Sequence, residues 1–411
     1  VSAPQPHVTV IGIGADGWAG VPASVRAQII AADVVLGGDR HLELIPPVHD
    51  QVRRPWPRPL SGLDTLLTEF GDAHVVALAS GDPFVSGIGT TLAELLGDGL
   101  DAIPAVSSVA LARSRMRWSA ESSTVVTLVG RDPNAVRREL SPGARLLVLS
   151  SDESTPGAVA AILTEHGLGA STMTVLGNLG AEDETRTEFV ADRFGDTVAA
   201  AVIPRLHVLA IEVAGTADLD ASWAPGLPDD AFEHDGQLTK RDQRASALAR
   251  LAPRPGALLW DVGAGAGSVG IEWLRAHPTT AAIAVEHHAD RAARIVRNAA
   301  RLGVPRLQLV SGRAPDALAE LPTPDAIFIG GGATAPGLLD RCRAALAPGG
   351  RLVVHGVTFA TEELLLAAFR DHGGELTRLS VEHAAPLGGR FHGWQPTRAI
   401  TQWAWTRSEQ S

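Results

Sequence analysis

A chain of 411 residues, 45% hydrophobic and 20% charged, is long enough for two domains with separate cores, and its composition excludes a disordered or fibrous protein. The formal charge of −11 disfavours nucleic acid, which needs clustered cations, and the single cysteine, Cys342, excludes an internal disulfide or a cysteine-built zinc site. No secretory leader precedes the first apolar stretch at His7, and no apolar run reaches membrane-spanning length, so a cytoplasmic protein is expected.

The first predicted strand, residues 8–11, runs into Gly12, Gly14 and Gly17. That spacing is also found in dinucleotide loops, but the context differs. No helix is expected at the third glycine, because residues 18–21 intervene and Pro22 is the better helix opener. Nor does an acidic residue close the next strand, 34–36, since Asp33 stands before it. The apolar strand 75–79 leads into Ser80-Gly81-Asp82-Pro83-Phe84. Pro83 fixes its own φ and biases Asp82 toward extended backbone, which predicts a rigid loop at a strand's carboxyl end, where open α/β sheets bind ligands. Residues 103–108 end in two hydroxyls at another strand-to-helix turn, where Ser107 or Ser108 either caps a helix at 109–115 or faces a ligand.

A strand at 206–213 is followed by residues 214–236, rich in Gly, Pro, Asp and Ala, which read as a linker or arm rather than a packed element. The expected domains are therefore 1–214 and 237–411, with 215–236 between them. Beyond the linker, strands near 257–262, 281–286, 307–310, 325–330 and 351–357 alternate with helices, as in a parallel sheet. In the helix at 289–302, Ala292, Ile295, Val296, Ala299 and Leu302 form the predicted core face, and Arg291, Arg294, Arg297 and Arg301 a solvated one. Cys342, among apolar residues of a helix at 338–346, reads as a core thiol, and residues 399–406 as a final antiparallel edge strand.

Most informative is Asp261-Val262-Gly263-Ala264-Gly265-Ala266-Gly267, between the first of these strands and an apolar-periodic helix. Glycines let the backbone turn sharply and approach a ligand closely, and Glu286, closing the next strand, can accept from both hydroxyls of a ribose. Gly265, Gly267 and Gly270 also satisfy G-x-G-x-x-G, so pattern alone leaves a dinucleotide open. Asp261 argues against it. A carboxylate there repels a pyrophosphate and suits a ligand with a cationic amino group and no phosphate, such as S-adenosylmethionine.

Asp-x-Gly-x-Gly-x-Gly resembles the first motif of the Rossmann-like methyltransferases. In the first half, Val10-Ile11-Gly12-Ile13-Gly14, Ser80-Gly81-Asp82-Pro83-Phe84, and Pro104-Ala105-Val106-Ser107-Ser108 followed by Leu111-Ala112-Arg113 resemble the tetrapyrrole methylases, which hold S-adenosylmethionine between two α/β lobes. With Gly236-Gln237-Leu238-Thr239-Lys240, Gly312-Arg313-Ala314-Pro315 and Glu382-His383-Ala384-Ala385-Pro386, the fusion resembles the precorrin-6Y C5,15-methyltransferases (decarboxylating) of cobalamin biosynthesis over nearly the whole chain. The fold implied is α/β: an N-terminal tetrapyrrole-methylase domain of two α/β lobes, then a C-terminal Rossmann-like seven-stranded methyltransferase domain.

The resemblance implies two S-adenosylmethionine sites, one per domain, and no metal. It implies methylation of a reduced precorrin-6 macrocycle at carbon 5 in the N-terminal domain and carbon 15 in the C-terminal one. Loss of the ring C acetate carboxyl then gives precorrin-8. In the second site Gly263, Gly265 and Gly267 would surround the methionine part, with Asp261 on its amino group and Glu286 on the ribose. Arg313 and Ala314 would lie near adenine, and Thr239 and Lys240 would close over cofactor or substrate, Thr239 equally being a helix cap. In the first site Gly81, Asp82 and Ser108 would form the cofactor loops, with Gly12 and Gly14 flanking the cleft. Arg113, Arg115, Arg117 and Arg131 in the first half, and Arg390 and Arg398 in the second, are candidates for the substrate's carboxylates, each also readable as a solvated surface residue. His355 and His383 are candidate proton carriers, each also readable as a structural histidine. The chain departs from the pattern at Val129, where a polar residue is expected, and at Gly177-Asn178, where an acidic one is usual. Rival readings are an RNA or protein methyltransferase, which would want a basic groove, and a first domain that binds tetrapyrrole without catalysis. A homo-oligomer is expected.

Overall fold

The computed structural model describes residues 6–198, 202–216 and 222–409. They fall into two compact units, Val1–Pro133 with Ser141–Asp218, and Asn134–Leu140 with Leu219–Ser411. The short segment Asn134–Leu140 therefore departs from a single break near residue 214. Within the second unit Arg138 donates to the Arg275 carbonyl through Nε and Nη2, at 3.1 and 3.0 Å.

The first unit contains two five-stranded sheets. Strands β1 (Val8–Ile13), β2 (Val34–Gly37), β3 (Val52–Pro55), β4 (Val75–Ser80) and β5 (Leu100–Ile103) are all parallel, in the order β3-β2-β4-β1-β5. The central strands β1 and β4 are near-continuous apolar runs because helices cover both faces of a parallel sheet. Pro22 precedes the helix Ala23–Ala31 as expected, but one helical turn, Gly17–Gly20, already begins at the third glycine. The second sheet holds β6 (Thr124–Thr127), β7 (Arg145–Leu149), β8 (Thr172–Gly177), β9 (Thr185–Val190) and β10 (His207–Glu212), in the order β6-β7-β10-β8-β9, with only β6 and β7 parallel.

The second unit is built on one seven-stranded sheet. Its parallel part runs through β11 (Leu258–Val262), β12 (Ala281–Glu286), β13 (Gln308–Ser311), β14 (Ala326–Ile329) and β15 (Arg351–Gly356). After β16 (Glu375–Leu379), β17 (Glu382–Gly388) and β18 (Phe391–Pro396) form a separate two-stranded hairpin. The last strand, β19 (Ile400–Thr406), is antiparallel to β15, but it is not the edge. The order is β13-β12-β11-β14-β15-β19-β16, and β16 covers its outer side. β16 is short and largely charged or polar, so its sequence carried little strand signal.

One sheet face packs Leu259 and Phe328 against Ala247, Leu248, Leu251, Ile271 and Leu274. The other packs Trp260, Ile283 and Trp403 against Leu338, Cys342 and Leu365. Burial pushes the Cys342 thiol up to about 12, which makes it inert. Among the described residues no helix is long and apolar enough to cross a membrane.

The stretch expected as an unpacked linker is partly core. Leu227 and Phe232 are buried, at 1% and 3% exposure. Glu272, in the helix Ser268–Ala276, accepts from the Gly226 and Leu227 amides at 2.7 and 3.0 Å and from Arg244 Nε at 2.5 Å. Arg244, fully buried, also donates to the Leu227 and Thr239 carbonyls and lies over the Phe232 ring. The arginine face of the helix Ala289–Arg301 is not simply solvated either. Arg297 pairs bidentately with Glu233 at 2.8 and 2.6 Å, and Arg291 Nε with Asp235 at 3.0 Å, so this face clamps the arm. Val296, expected in the core, is 56% exposed, whereas Asn298 is buried, bonding the Glu233 and Ala266 carbonyls. Helical periodicity reports which residues share a face, not which loop will cover it.

Candidate functional site

In the first unit a cavity of about 300 Å³ lies where β1 and β4 end, with Leu149, Leu176 and Val208 of the second sheet, and Ser150 just past β7, on its far wall. Gly12 makes this closure possible. A Cβ there would lie 1.8 Å from the Gly81 carbonyl oxygen and 2.6 Å from the Ala105 nitrogen. Those two groups hydrogen-bond each other at 3.0 Å directly over the end of β1. Gly12 is therefore not itself on the wall, whereas Gly14, Gly81, Asp82 and Ser108 are. Asp82 Oδ1 accepts from the Phe84 amide at 2.9 Å, which holds the loop rigid. Ser107 caps the helix Ser108–Met116 by accepting from the Ala110 amide, and both Ser107 and Ser108 stand on the wall.

The arginines expected to serve this cavity do not line it. Arg113 Nε donates to Ser123 Oγ at 3.1 Å, and Arg115 pairs bidentately with Glu184 at 2.5 and 2.9 Å. Arg117 is exposed and ends the helix in left-handed backbone, and Arg131 is exposed. In their place the wall carries Arg40, His41, Trp56, Ser150 and His207, none of which the sequence reading singled out. Part of a signal existed, since Arg40 and His41 follow β2 much as Ser80 to Phe84 follow β4.

Two wall atoms, Ser150 Oγ and His207 Nε2, are buried without a partner. His207 Nδ1 lies 2.6 Å from the Pro204 carbonyl and donates to it, so Nε2 is an unfilled acceptor. Burial lowers the His207 pKa and keeps the ring neutral. Unfilled acceptors on a cavity wall fit a ligand that brings its own donors. Val129, one of the departures, also stands on this wall, half exposed. Gly177, the other, has no room for a carboxylate. A Cβ there would lie 2.4 Å from Thr185 Oγ1 and 2.5 Å from Pro204 Cγ.

The second unit's cavity, about 680 Å³, opens at the carboxyl ends of β11, β12, β14 and β15. Its glycines are needed for two reasons each. Gly263, Gly265 and Gly267 have φ of +68°, +61° and +76°, the left-handed region that L side chains avoid. A Cβ on each would also approach the Gly331 oxygen at 2.8 Å, the Gln237 oxygen at 2.9 Å and Ile295 Cγ2 at 3.0 Å, respectively. Gly263 and Gly265 line the cavity, while Gly267 starts the helix behind it. Glu286, 3% exposed, accepts from the Gly265 amide through Oε2 at 3.0 Å and from the His287 and His288 amides through Oε1 at 2.9 Å each. A carboxylate has about four lone-pair sites, so capacity remains for a ligand hydroxyl. Glu286, His287 and His288 also offer ligand atoms within 4.8 Å of one another, as a metal site would, but the three amides already engage the carboxylate.

Thr239, Lys240, Arg313, Ala314, His355 and Arg398 also stand on this wall. Lys240, not Thr239, precedes the helix Arg241–Leu251, which has no side-chain cap, and Lys240 Nζ lies 3.4 Å from Asp229 Oδ2. His355 Nε2 bonds Gln402 Oε1 at 2.9 Å, and burial holds its pKa down to about 4, so the ring is neutral. His383 and Arg390 are exposed in and beside the β17–β18 hairpin and do not line the cavity.

Asp261 is also absent from the wall. Its Oδ2 accepts from the Gly270 amide at 2.9 Å, tying the helix Ser268–Ala276 to β11, while Oδ1 is buried without a partner. Burial above all pushes its pKa up to about 7; the Gly270 bond opposes the shift, and the Glu286 charge adds to it. Asp261 thus stands beneath the glycine loop, behind the cavity wall.

Residues 7–193 match the tetrapyrrole (corrin/porphyrin) methylase family, and residues 230–407 the precorrin methyltransferase domain family. The chain is 46% identical over 407 residues to the precorrin-6Y C(5,15)-methyltransferase (decarboxylating) of Sinorhizobium sp, covering 98% of this chain and 97% of that one. It is 43% identical over 406 residues to the protein of that name from Mycobacterium tuberculosis, covering 97% and 100%. The C-terminal domain of the Rhodobacter capsulatus precorrin-6Y C5,15-methyltransferase, a crystal structure, is 48% identical, covers 45% of this chain and 100% of that one, and has a TM-score of 0.43. With such identity over nearly the full length of its relatives, the chain belongs to the precorrin-6Y C(5,15)-methyltransferase (decarboxylating) family and is an enzyme.

Proposed function

We propose that the protein methylates a reduced precorrin-6 macrocycle at carbon 5 in its first unit and at carbon 15 in its second. Decarboxylation of the ring C acetate accompanies this and gives precorrin-8 for cobalamin biosynthesis. The observation that carries this reading is a pair of cavities, one in each unit, in a chain matched along its length by enzymes named for two methylations. In the second unit, and on the parallel sheet of the first, the cavity sits at the carboxyl ends of strands, where α/β sheets bind ligands. S-adenosylmethionine, when bound at each site, supplies the methyl group.

Such transfers ask the protein mainly for positioning and for exclusion of water. In the second cavity the backbone at Gly263 and Gly265 takes the methionine part, Glu286 the ribose, and Arg313 with Ala314 the adenine. Thr239 and Lys240, on the arm, close one side, and Lys240 and Arg398 supply positive charge for the substrate. Asp261 holds the loop from below through Gly270. His355 commits Nε2–H to Gln402 and keeps Nδ1 as the atom that accepts a proton. In the first cavity Gly14, Gly81, Asp82 and Ser108 meet the cofactor, and Ser150 with His207 accept from its donors.

Mass spectrometry of the product formed from reduced precorrin-6 with labelled methyl donor tests this reading. Two labelled methyls and one carbon dioxide per macrocycle are expected; a single methyl, or no carbon dioxide, overturns it. Calorimetric titration with S-adenosylhomocysteine should find two sites per chain, and one site would remove the two-cofactor assignment.

A further inference from the structure

The first cavity has a polar corner for which the proposed reaction gives no role. It comes from the short helix Asp39–Glu43, just past β2, and from Ser80 at the end of β4. Arg40 Nη2 donates to Ser80 Oγ at 3.2 Å and to His41 Nε2 at 3.1 Å, and His41 Nε2 lies 2.9 Å from Ser80 Oγ. Burial, with the Arg40 charge beside it, holds the His41 pKa down to about 4, so the ring is neutral and Nε2 can accept.

Only neutral groups hold the guanidinium. Its neighbour Asp39 pairs with Arg58 at 3.2 Å, and among the described residues no carboxylate pairs with Arg40. Among the described residues it is also the only lysine or arginine on the wall of this cavity. Partial burial lowers the Arg40 pKa, because the cation is partly withdrawn from water without a counter-charge. A charged group left in that state inside a cavity marks a ligand-binding position, because the ligand can bring the missing charge. A guanidinium presents a planar fork that matches a carboxylate.

The geometry points to Arg40 as the residue that grips a carboxylate side chain of the macrocycle in the first cavity, with Ser80 and His41 as positioning residues that orient its fork. This rests on the methylation reading above and deepens it, since it concerns how the first unit recognises its substrate.

Arg40→Met keeps the length of the side chain and removes the charge. In the full chain it should raise KM for the macrocycle in carbon-5 transfer about 10- to 100-fold, the worth of a charge-assisted pair, with kcat little changed. Titration with S-adenosylhomocysteine should give the wild-type stoichiometry, which shows that the cavity still folds. Arg40→Lys should recover part of the loss, because charge returns without the fork. Binding of uroporphyrin I, an octacarboxylic porphyrin, followed by its fluorescence, should weaken in Arg40→Met and become less sensitive to salt. An unchanged KM together with unchanged uroporphyrin affinity overturns the proposal. So does a fall in kcat and cofactor affinity at constant KM, the result of a merely structural role. The two readings fail separately. A wild-type enzyme that transfers no methyl to carbon 5, while Arg40→Met still loses porphyrin affinity, sinks the reaction and keeps the anchor.

Discussion

The two cavities meet one steric demand, backbone brought close to a ligand, by different means. In the first, Gly12 is needed because two other loops cross it and bond each other over the end of β1, at 1.8 and 2.6 Å from where its Cβ would be. In the second, each loop glycine takes left-handed backbone and also meets a different neighbour. Their polar groups differ as well. The first wall leaves Ser150 Oγ and His207 Nε2 without partners and Arg40 without a counter-charge, whereas in the second Glu286 is bonded to three amides and Lys240 faces Asp229. The first cavity leaves buried acceptors for what enters it. In the second, Glu286 and Lys240 are paired beforehand, and among the described residues only Arg313 and Arg398 on the wall stay without a carboxylate.

The largest test of that contrast is Gly12→Val. The clash is with backbone, which cannot rotate away, so the loops over β1 must part. Cofactor affinity should fall at least about 100-fold at the first site, roughly 2.7 kcal/mol, and calorimetric stoichiometry should drop from two sites to one. A variant that still binds at both sites would show that the crossing loops are dispensable.

Next in size is Glu272→Ala, aimed at the arm whose residues Gln237 to Lys240 form part of the second wall. Removing Glu272 leaves the buried Arg244 only the part-exposed Asp229, 3.4 Å away, as counter-charge, which costs about 2 kcal/mol. Urea unfolding of the second unit should shift accordingly, and second-site affinity should fall with it. Loss of stability with unchanged affinity would separate the arm from the site.

How much of this was legible depended on distance along the chain. The glycine loop and Glu286 could be read because strand, loop, helix and next strand are consecutive, so their spacing fixes their meeting. Arg40, Ser150 and His207 share one cavity wall only because elements of two sheets distant along the chain converge, and no local period records that. The Ala289–Arg301 helix shows the same limit: its polar face was visible, but Glu233 and Asp235, which cover it, lie some sixty residues away on the arm. Asp261 was recognised, but its position relative to the cavity was not. Alternation along β11 puts Trp260 and Val262 on one sheet face and Leu259 with Asp261 on the other, toward the helix carrying Gly270 rather than into the cavity.

Asp261 also supplies the smallest effect and the finest test, because it is a buried acid beneath the second loop. Its pKa in the fold, about 7, lies above the ordinary 3.8, so the folded state holds the proton more tightly than the unfolded chain does. The stability this contributes is full below about pH 4 and is lost as pH rises through 7; three units correspond to at most about 4 kcal/mol. His355 and His41, both held near 4, act in the opposite sense around their ordinary 6.5. Unfolded histidines are still half protonated at pH 6.5, so between pH 6.5 and 8 their opposing contributions cancel most of the roughly 0.8 kcal/mol that Asp261 loses. The Asp261 share is therefore the wild-type stability minus that of Asp261→Asn, a difference that should fall as pH rises. Asp261→Asn keeps an acceptor for the Gly270 amide and removes the titrating group, so it should remove that share and leave second-site affinity within about threefold. Were the carboxylate instead the partner of the cofactor's amino group, the same variant would lose about tenfold or more in affinity, and wild-type binding would strengthen as pH rose. A difference between wild type and variant that does not change with pH would put the Asp261 proton elsewhere.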